Sequence, residues 1–495
     1  MATNPGFYVL KESKVNMTFD YQFILDVMRQ GKRTEAVALI AHFIEKAPAL
    51  KADWLKVASL ALRIGEITLA KQAADLFYGS CRKDINADIH YAGIYAEAGD
   101  LQNALKIIDP YIKENTALPS LQHLAGTVYA QLGQLGKARV SLIYALELAP
   151  YLGITWFTLA SIVNFKEHPV LLQKLEQAYE QCAGQDLRNK QQFLYALGKA
   201  YDDVGYYDKA WQSYSAGASI IRSLSKYSPD TDTTEVEAII NNFTSGAQQL
   251  LPYSRSNCER GIAILGLPRS GTTLLGQMLS EHSKIAGAAE FNGIGAACFH
   301  LQSDNFLNFP AYIKQHGHAV GALDHIASVY QHVAEQYFPN DGFRVDKTLN
   351  LNRYFGIWAQ AFPKGKAIYI RRNDENTAWS CFKTNFRSQA AWSWSANSIK
   401  SYISNERRLL EHWKTIYNAR ILEINYEDLV AEPELTLTKV CNHLGLEFEG
   451  SMLHFYKSKS PVYTSSVGQV HQPLEQSKIE LSERYPQFLF ELGLS

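Results

Sequence analysis

The residues of this chain best suited to do chemistry lie in AILGLPRSGTTLLGQML, Ala263 to Leu279, where an apolar run opens onto two glycines and two threonines. Gly266 and Gly271 have the spacing of the phosphate-binding pattern G-x-x-x-x-G-K-S/T, in which backbone N–H groups cradle phosphate oxygens. Thr272 stands where that pattern places its lysine, and Arg269 lies inside the loop. Pro268, Arg269, Ser270, Gly271, Thr272 and Thr273 therefore form a candidate anion cradle. The glycine lets the backbone come close, the helix N terminus adds partial positive charge, and hydroxyls and a guanidinium donate further bonds. A kinase or triphosphatase built on such a loop needs an apolar strand ending in aspartate to hold magnesium beside it. The best later strand, KAIYI, Lys366 to Ile370, ends in Arg371 and Arg372 instead, and no convincing aspartate-ended strand is expected. A sulfuryl group carried on a nucleotide phosphate fits this set better. It bears less negative charge than a terminal phosphate, so fixed cations and amides can stabilise the leaving phosphate without a metal ion.

GLPRSGTTLL resembles the 5'-phosphosulfate loop of sulfotransferases, and later segments agree in order from roughly Arg260 to Ser495. The resemblance implies a P-loop-like α/β domain with a central parallel sheet. It also implies 3'-phosphoadenosine 5'-phosphosulfate (PAPS) as donor, 3'-phosphoadenosine 5'-phosphate (PAP) as product, and no metal. Arg372 and Ser380 in RRNDENTAWSCF match the family's arginine at a strand end and the serine eight residues on, which hold the 3'-phosphate. A guanidinium fork suits that phosphate. Asp374 and Asn376 depart from the proline and aspartate frequent there. VDKT, Val345 to Thr348, resembles the segment with an active-site lysine, so Lys347 is expected to stabilise the bridging oxygen or the sulfuryl group. Tyr426 in NYEDLVAEPELTL matches a nucleotide-holding tyrosine, and Ser466 and Gln469 in TSSVGQVHQPL match a loop that closes over the nucleotide.

Transfer to a hydroxyl needs a general base within hydrogen-bond reach of the acceptor. Glu290 is the first candidate: it lies 21 residues after Arg269, a spacing similar to that of the catalytic glutamate in protein-tyrosine sulfotransferases. The blander role for it is to orient Arg269 or Lys347. His282 in SEHSK sits near a helix end, where a cap or dipole role is expected, and Asp346 is expected to pair with Lys347 or another cation. The resemblance points to a peptide or protein hydroxyl as acceptor, tyrosine first, with carbohydrate, lipid or small phenol as the other classes. Trp392 and Trp394 offer either an acceptor wall or core packing. Two readings from other classes stand beside this one, a nucleotide-dependent kinase and an inactive repeat scaffold that senses nucleotide.

The elements that must position these residues fall into two kinds. Gly31, Gly65, Gly99 and Gly133 recur at a spacing of 34, each followed five residues later by Ala36, Ala70, Ala104 or Ala138; Gly205 and Ala210 repeat the pair. Seven residues before a glycine stand Ala58, Ala92, Gly126 and Gly198, small enough for two helices to cross closely. This pattern resembles the tetratricopeptide repeat, stacked antiparallel helix pairs, over roughly Asp20 to Ser223; the unit around Gly153 to Gly184 keeps Ala160 but loses its turn glycine. Such arrays present a concave face that binds peptide or protein partners. The expected division is a repeat domain over 1–223, a junction over 224–258 and a sulfotransferase domain over 259–495, with apolar strands at 262–265, 367–370 and 421–424. The fold class is thus an α-solenoid followed by an α/β domain.

Bulk composition narrows the class. A net charge of -1 in 495 residues argues against a nucleic-acid binder, so any basic site must be local. Six scattered cysteines without a C-x-x-C pair argue against a zinc knuckle or a disulfide framework. No apolar stretch reaches the ~20 residues of a membrane span, and no signal-peptide core is seen at the start, so a cytoplasmic protein is expected.

Overall fold

The computed structural model describes residues 21–81, 84–181, 186–244, 253–255, 261–299, 319–338, 340–386, 390–457 and 481–493. Its first half is helical. Helices pair as Tyr21–Arg29 with Arg33–Lys46, Asp53–Arg63 with Ile67–Ser80, Ile85–Glu97 with Leu101–Lys113, Pro119–Gln131 with Leu135–Leu148, and Leu187–Asp203 with Tyr207–Leu224. Each periodic glycine sits at the turn of a pair with φ between 72° and 83°, a left-handed conformation that costs glycine nothing. The residue after each glycine bonds back five positions, as Glu66 N–H does to the Ala61 carbonyl, which closes the first helix of the pair. The in-phase alanines Ala36, Ala70, Ala104, Ala138 and Ala210 are fully buried. At Gly126 an added Cβ would lie 2.5 Å from Leu142 Cγ, and at Gly198 2.7 Å from the Tyr214 ring, so the small residues do mark close helix crossings. The irregular unit keeps only an eight-residue first helix, Gly153–Ala160, before Pro169–Gln181.

The stretch read as a junction contains a helix, Pro229–Asn242, opened by a Ser228 cap that accepts from Thr231 N–H. Its Val236 and Ile239, with Phe243 just beyond, enter the core beneath the sheet of the second half. That sheet has five parallel strands: β1 (Gly261–Leu265), β2 (Ile285–Ala289), β3 (Phe343–Asp346), β4 (Lys366–Arg371) and β5 (Ile421–Asn425), in the order β2-β3-β1-β4-β5. Alternation within the strands feeds two cores. Ala263, Leu265, Ala367, Tyr369 and Ile421 pack against helices Ala319–Tyr337, Leu351–Ala361 and Ala396–Tyr417 on one face. Ile262, Ile264, Val345, Ile368, Ile370 and Ile424 pack against Thr272–Ser280 and Pro433–Leu444 on the other. Both faces being covered explains why the central strands read as unbroken apolar runs. No helix among the described residues is long and apolar enough to cross a membrane.

Candidate anion-binding and transfer site

The strand order creates the site. The chain leaves β1 toward β3 and β2 on one side and leaves β4 toward β5 on the other, so the carboxyl ends of β1 and β4 border the crevice where such sheets bind ligands. The glycine loop follows β1 and Arg372 follows β4, on adjacent strands in register from Ile262↔Lys366 to Leu265↔Tyr369.

Within the loop, Gly266 has φ 151° and an added Cβ would stand 2.8 Å from the Ile370 carbonyl oxygen. Gly271 has φ 105° and an added Cβ would lie 2.5 Å from Tyr426 Cδ2. Both positions therefore demand glycine for space as well as for φ. Arg269 also adopts a positive φ, 68°, which a side-chain-bearing residue holds only when its surroundings fix it. They do so at both ends: Arg372 Nη1 donates to the Arg269 carbonyl oxygen at 3.0 Å, and Arg269 Nε donates to Ser380 Oγ at 3.1 Å. Two motifs 100 residues apart thus meet at one residue. The Arg372 guanidinium in turn lies 4.6 Å over the Tyr426 ring. Burial pushes the Arg269 guanidinium below its ordinary range, with Cys381 opposing the shift, the neighbouring Arg372 adding to it and Tyr426 opposing it.

Among the described residues no carboxylate pairs with Arg372, and Ser270 Oγ is buried in the loop without a hydrogen-bond partner. Two guanidinium groups, a buried hydroxyl and the N terminus of helix Thr272–Ser280 converge there, an arrangement chemically suited to an anion. Thr273 is buried in the first turn of that helix, with Thr272 half-buried before it.

The second part of the site lies at the ends of β2 and β3. Lys347 is 6% exposed, and its stem runs past Gly276, where an added Cβ would approach Lys347 Cδ to 3.1 Å. Its Nζ donates to Glu290 Oε1 at 2.9 Å. Glu290 keeps 30% of its side chain exposed, so one carboxylate is held by a buried cation while open to an incoming group.

Asp346 does not pair with Lys347. Consecutive residues at a strand end point to opposite sides, and the Asp346 carboxylate turns inward. It is fully buried, accepting from Thr348 N–H at 2.9 Å, Thr348 Oγ1 at 2.6 Å and Tyr330 OH at 3.0 Å. Burial pushes it up to about 6 although the Thr348 and Tyr330 hydrogen bonds oppose the shift. Asp346 also corrects the expectation that no aspartate-ended strand flanks the loop: β3, paired with β1 through Ala263↔Asp346, is one. A run as short as FRVD does not stand out by periodicity.

Composition and spacing missed Thr348, Tyr330 and Asn292. Asn292 N–H donates to Thr348 Oγ1 at 3.0 Å and Lys347 N–H to the Ala289 carbonyl at 3.0 Å, so Glu290 is bracketed by bonds on both sides. The D-x-T spacing of Asp346 and Thr348, a local side-chain-to-backbone turn, was the available signal.

His282 takes a structural role other than the helix cap or dipole interaction expected of it. It is buried, with Nε2 against the Glu447 carbonyl at 2.9 Å and Nδ1 accepting from Lys284 N–H at 3.0 Å. Trp392 and Trp394 are 4% exposed, and Trp392 stacks on Tyr402 at 4.0 Å, so both belong to the core rather than to an open wall. Ser466 and Gln469 lie outside the described residues. Among those residues no group of three or more His, Cys, Asp or Glu side chains is arranged to hold a metal ion.

Residues 261–450 match the model of the sulfotransferase family. An uncharacterised protein of Aquifex aeolicus (strain VF5) is 26% identical over 310 residues, 60% of this chain and 40% of that relative, so the chain spans well under half of the relative's length. Among solved structures, the sulfotransferase domain of the olefin synthase of Synechococcus PCC 7002 is 19% identical, covering 49% of this chain and 98% of that one, with a TM-score of 0.31. A sulfotransferase of Mycobacterium tuberculosis H37Rv is 12% identical, covering 64% and 97% of the two chains, with a TM-score of 0.28.

Proposed function

We propose that the chain transfers a sulfuryl group from PAPS to an acceptor hydroxyl, releasing PAP. The supporting observation is the junction of Arg372, Arg269 and Ser380, which joins the glycine loop to the second phosphate motif. The unpartnered Ser270 hydroxyl and the positive-φ backbone turn made possible by Gly266 and Gly271 fit a phosphate there. Arg372, Ser380 and Tyr426 hold the 3'-phosphate end, and the loop from Pro268 to Thr273 holds the 5' end, with Ser466 and Gln469 assigned to the closing loop by resemblance. When bound, the donor supplies the sulfuryl group. Glu290 takes the proton from the acceptor hydroxyl, while Lys347, Arg269 and the loop amides stabilise the charge that develops on the oxygens.

The helix pairs over 1–223 are read as tetratricopeptide repeats that engage the acceptor or a protein partner, with 224–258 joining them to the sulfotransferase domain over 259–495. A peptide or protein tyrosine is the first acceptor class to test, in a cytoplasmic setting. Incubating the purified chain with donor labelled in its sulfonate, together with a host lysate, and identifying the labelled molecules tests the activity and names the acceptor. The kinase reading needs a metal-holding carboxylate beside the loop, whereas Asp346 at the end of β3 turns inward to Thr348 and Tyr330. Magnesium-dependent ATP turnover would favour it, and sulfuryl transfer insensitive to chelator would exclude it.

A further inference from the structure

Helix Asp374–Phe382 presents Ser380 to Arg269, and the opposite side of that helix rests on the helical array. Trp379, next to Ser380 and 5% exposed, packs edge-to-face on Tyr214 of the array at 5.7 Å and against Tyr485 of the carboxyl-terminal segment at 3.8 Å. Leu267 of the glycine loop is buried in this same cluster, so array, helix and loop share one apolar core. Two polar bonds fasten that core from array helix Leu187–Asp203: Tyr195 OH donates to the Phe382 carbonyl at 3.4 Å, and Asp202 makes the charge-assisted tie. Its Oδ2 accepts from Nζ of Lys383, the residue capping the Ser380 helix, at 3.3 Å, and its Oδ1 accepts from Tyr485 OH at 2.6 Å. One buried carboxylate of the array thus ties together the two elements that enclose Trp379.

We infer that Asp202 is a positioning residue for the donor site, holding the helix that carries Ser380 in place against the glycine loop. The inference rests on the donor reading proposed above. Its physical basis is that an aromatic cluster fills space but fixes the position of a helix along its axis poorly. A charge-assisted bond at the helix end, paired with a hydroxyl bond on the other oxygen, fixes that position. The array is then a structural part of the nucleotide site and not only an appended recognition module.

The test is titration of the full chain with PAP by calorimetry, comparing wild type, Asp202→Ala, Asp202→Asn, Ser380→Ala and the double variant Asp202→Ala/Ser380→Ala. Asp202→Ala is expected to weaken PAP about tenfold, and Asp202→Asn less, because its amide oxygen still accepts from Tyr485. Removing Ser380 should cost less in the Asp202→Ala background than in wild type, a non-additivity that a purely structural role away from Ser380 would not produce. If Asp202→Ala does not fold, Lys383→Met and Tyr485→Phe remove its partners one at a time and are expected to weaken PAP in the same direction. Unchanged PAP affinity in folded variants, or strict additivity with Ser380→Ala, overturns the inference. A wild-type chain that fails to bind PAP defeats the donor reading itself, which separates the two failures.

Discussion

Lys347 Nζ donates to Glu290 Oε1 at 2.9 Å across the ends of β3 and β2, with the lysine buried and the carboxylate partly open. The buried ammonium holds one carboxylate oxygen while the side chain stays partly open to an acceptor hydroxyl. Glu290→Gln is expected to leave PAP affinity within about twofold and to lower sulfuryl transfer by about 10²- to 10⁴-fold. Transfer at the wild-type rate in that variant would remove Glu290 from the base position and leave it as the orienting partner of Lys347.

Arg372 touches the loop backbone and the Tyr426 ring at once. Arg372→Ala should weaken PAP by about 2 to 5 kcal/mol, because a partly desolvated phosphate loses a charged partner. Calorimetry reads this directly, and an unchanged dissociation constant would take the 3'-phosphate away from Arg372.

Gly271 combines a left-handed φ with a ring edge where a Cβ would go. Gly271→Ala is expected to cost about 1 to 3 kcal/mol of stability and most of the PAP affinity. Adding Tyr426→Ala removes the steric conflict but not the backbone penalty, so the double variant should recover part of the melting temperature and none of the Tyr426 contribution to binding. Complete recovery of stability would mean that φ carries none of the cost.

Asp346 makes stability depend on pH in a direction opposite to most carboxylates. Its folded value, about 6, lies above the ordinary 3.8, so its contribution is fully present below about pH 4 and is lost as pH rises through 6. The two values set an upper size of about 3 kcal/mol. Asp346→Asn keeps an acceptor for Thr348 and cannot ionise, so the melting temperature of wild type should fall relative to that of the variant between pH 4.5 and 7, to be followed by thermal melts across that range. Parallel pH profiles would place the ionisation of Asp346 elsewhere.

Much of this site was legible before any fold was known, because local pattern and local chemistry coincide there. Gly266 and Gly271 are needed for φ within the loop itself, although the atoms that crowd a Cβ there come mainly from Ile370 and Tyr426, far along the chain. Arg372 and Ser380 sit on a strand end and the helix that follows, and the periodic glycines record turns closed by their own neighbours. Less could be read where the strands are unlike strands. β2, IAGAA, is made of small residues at a sheet edge, and β3 is four residues long. Missing β3 as a strand also hid the aspartate beside the loop and set Asp346 wrongly against Lys347.

The sequence by itself determined the chemistry on offer: a glycine loop with a threonine, Thr272, at the usual lysine position and an arginine, Arg269, inside it, a second arginine with its serine, a lysine and a glutamate. All of these are consequences of residue type and short spacing, which survive without a partner in space. Only the tertiary structure decided how they combine. Strand order placed the ends of β1 and β4 side by side so that Arg372 could reach the Arg269 carbonyl, and the ends of β2 and β3 so that Lys347 could reach Glu290. Folding likewise laid the array helix carrying Asp202 behind Ser380, 178 positions further along the chain, because the aromatic faces of both elements are buried in one shared cluster.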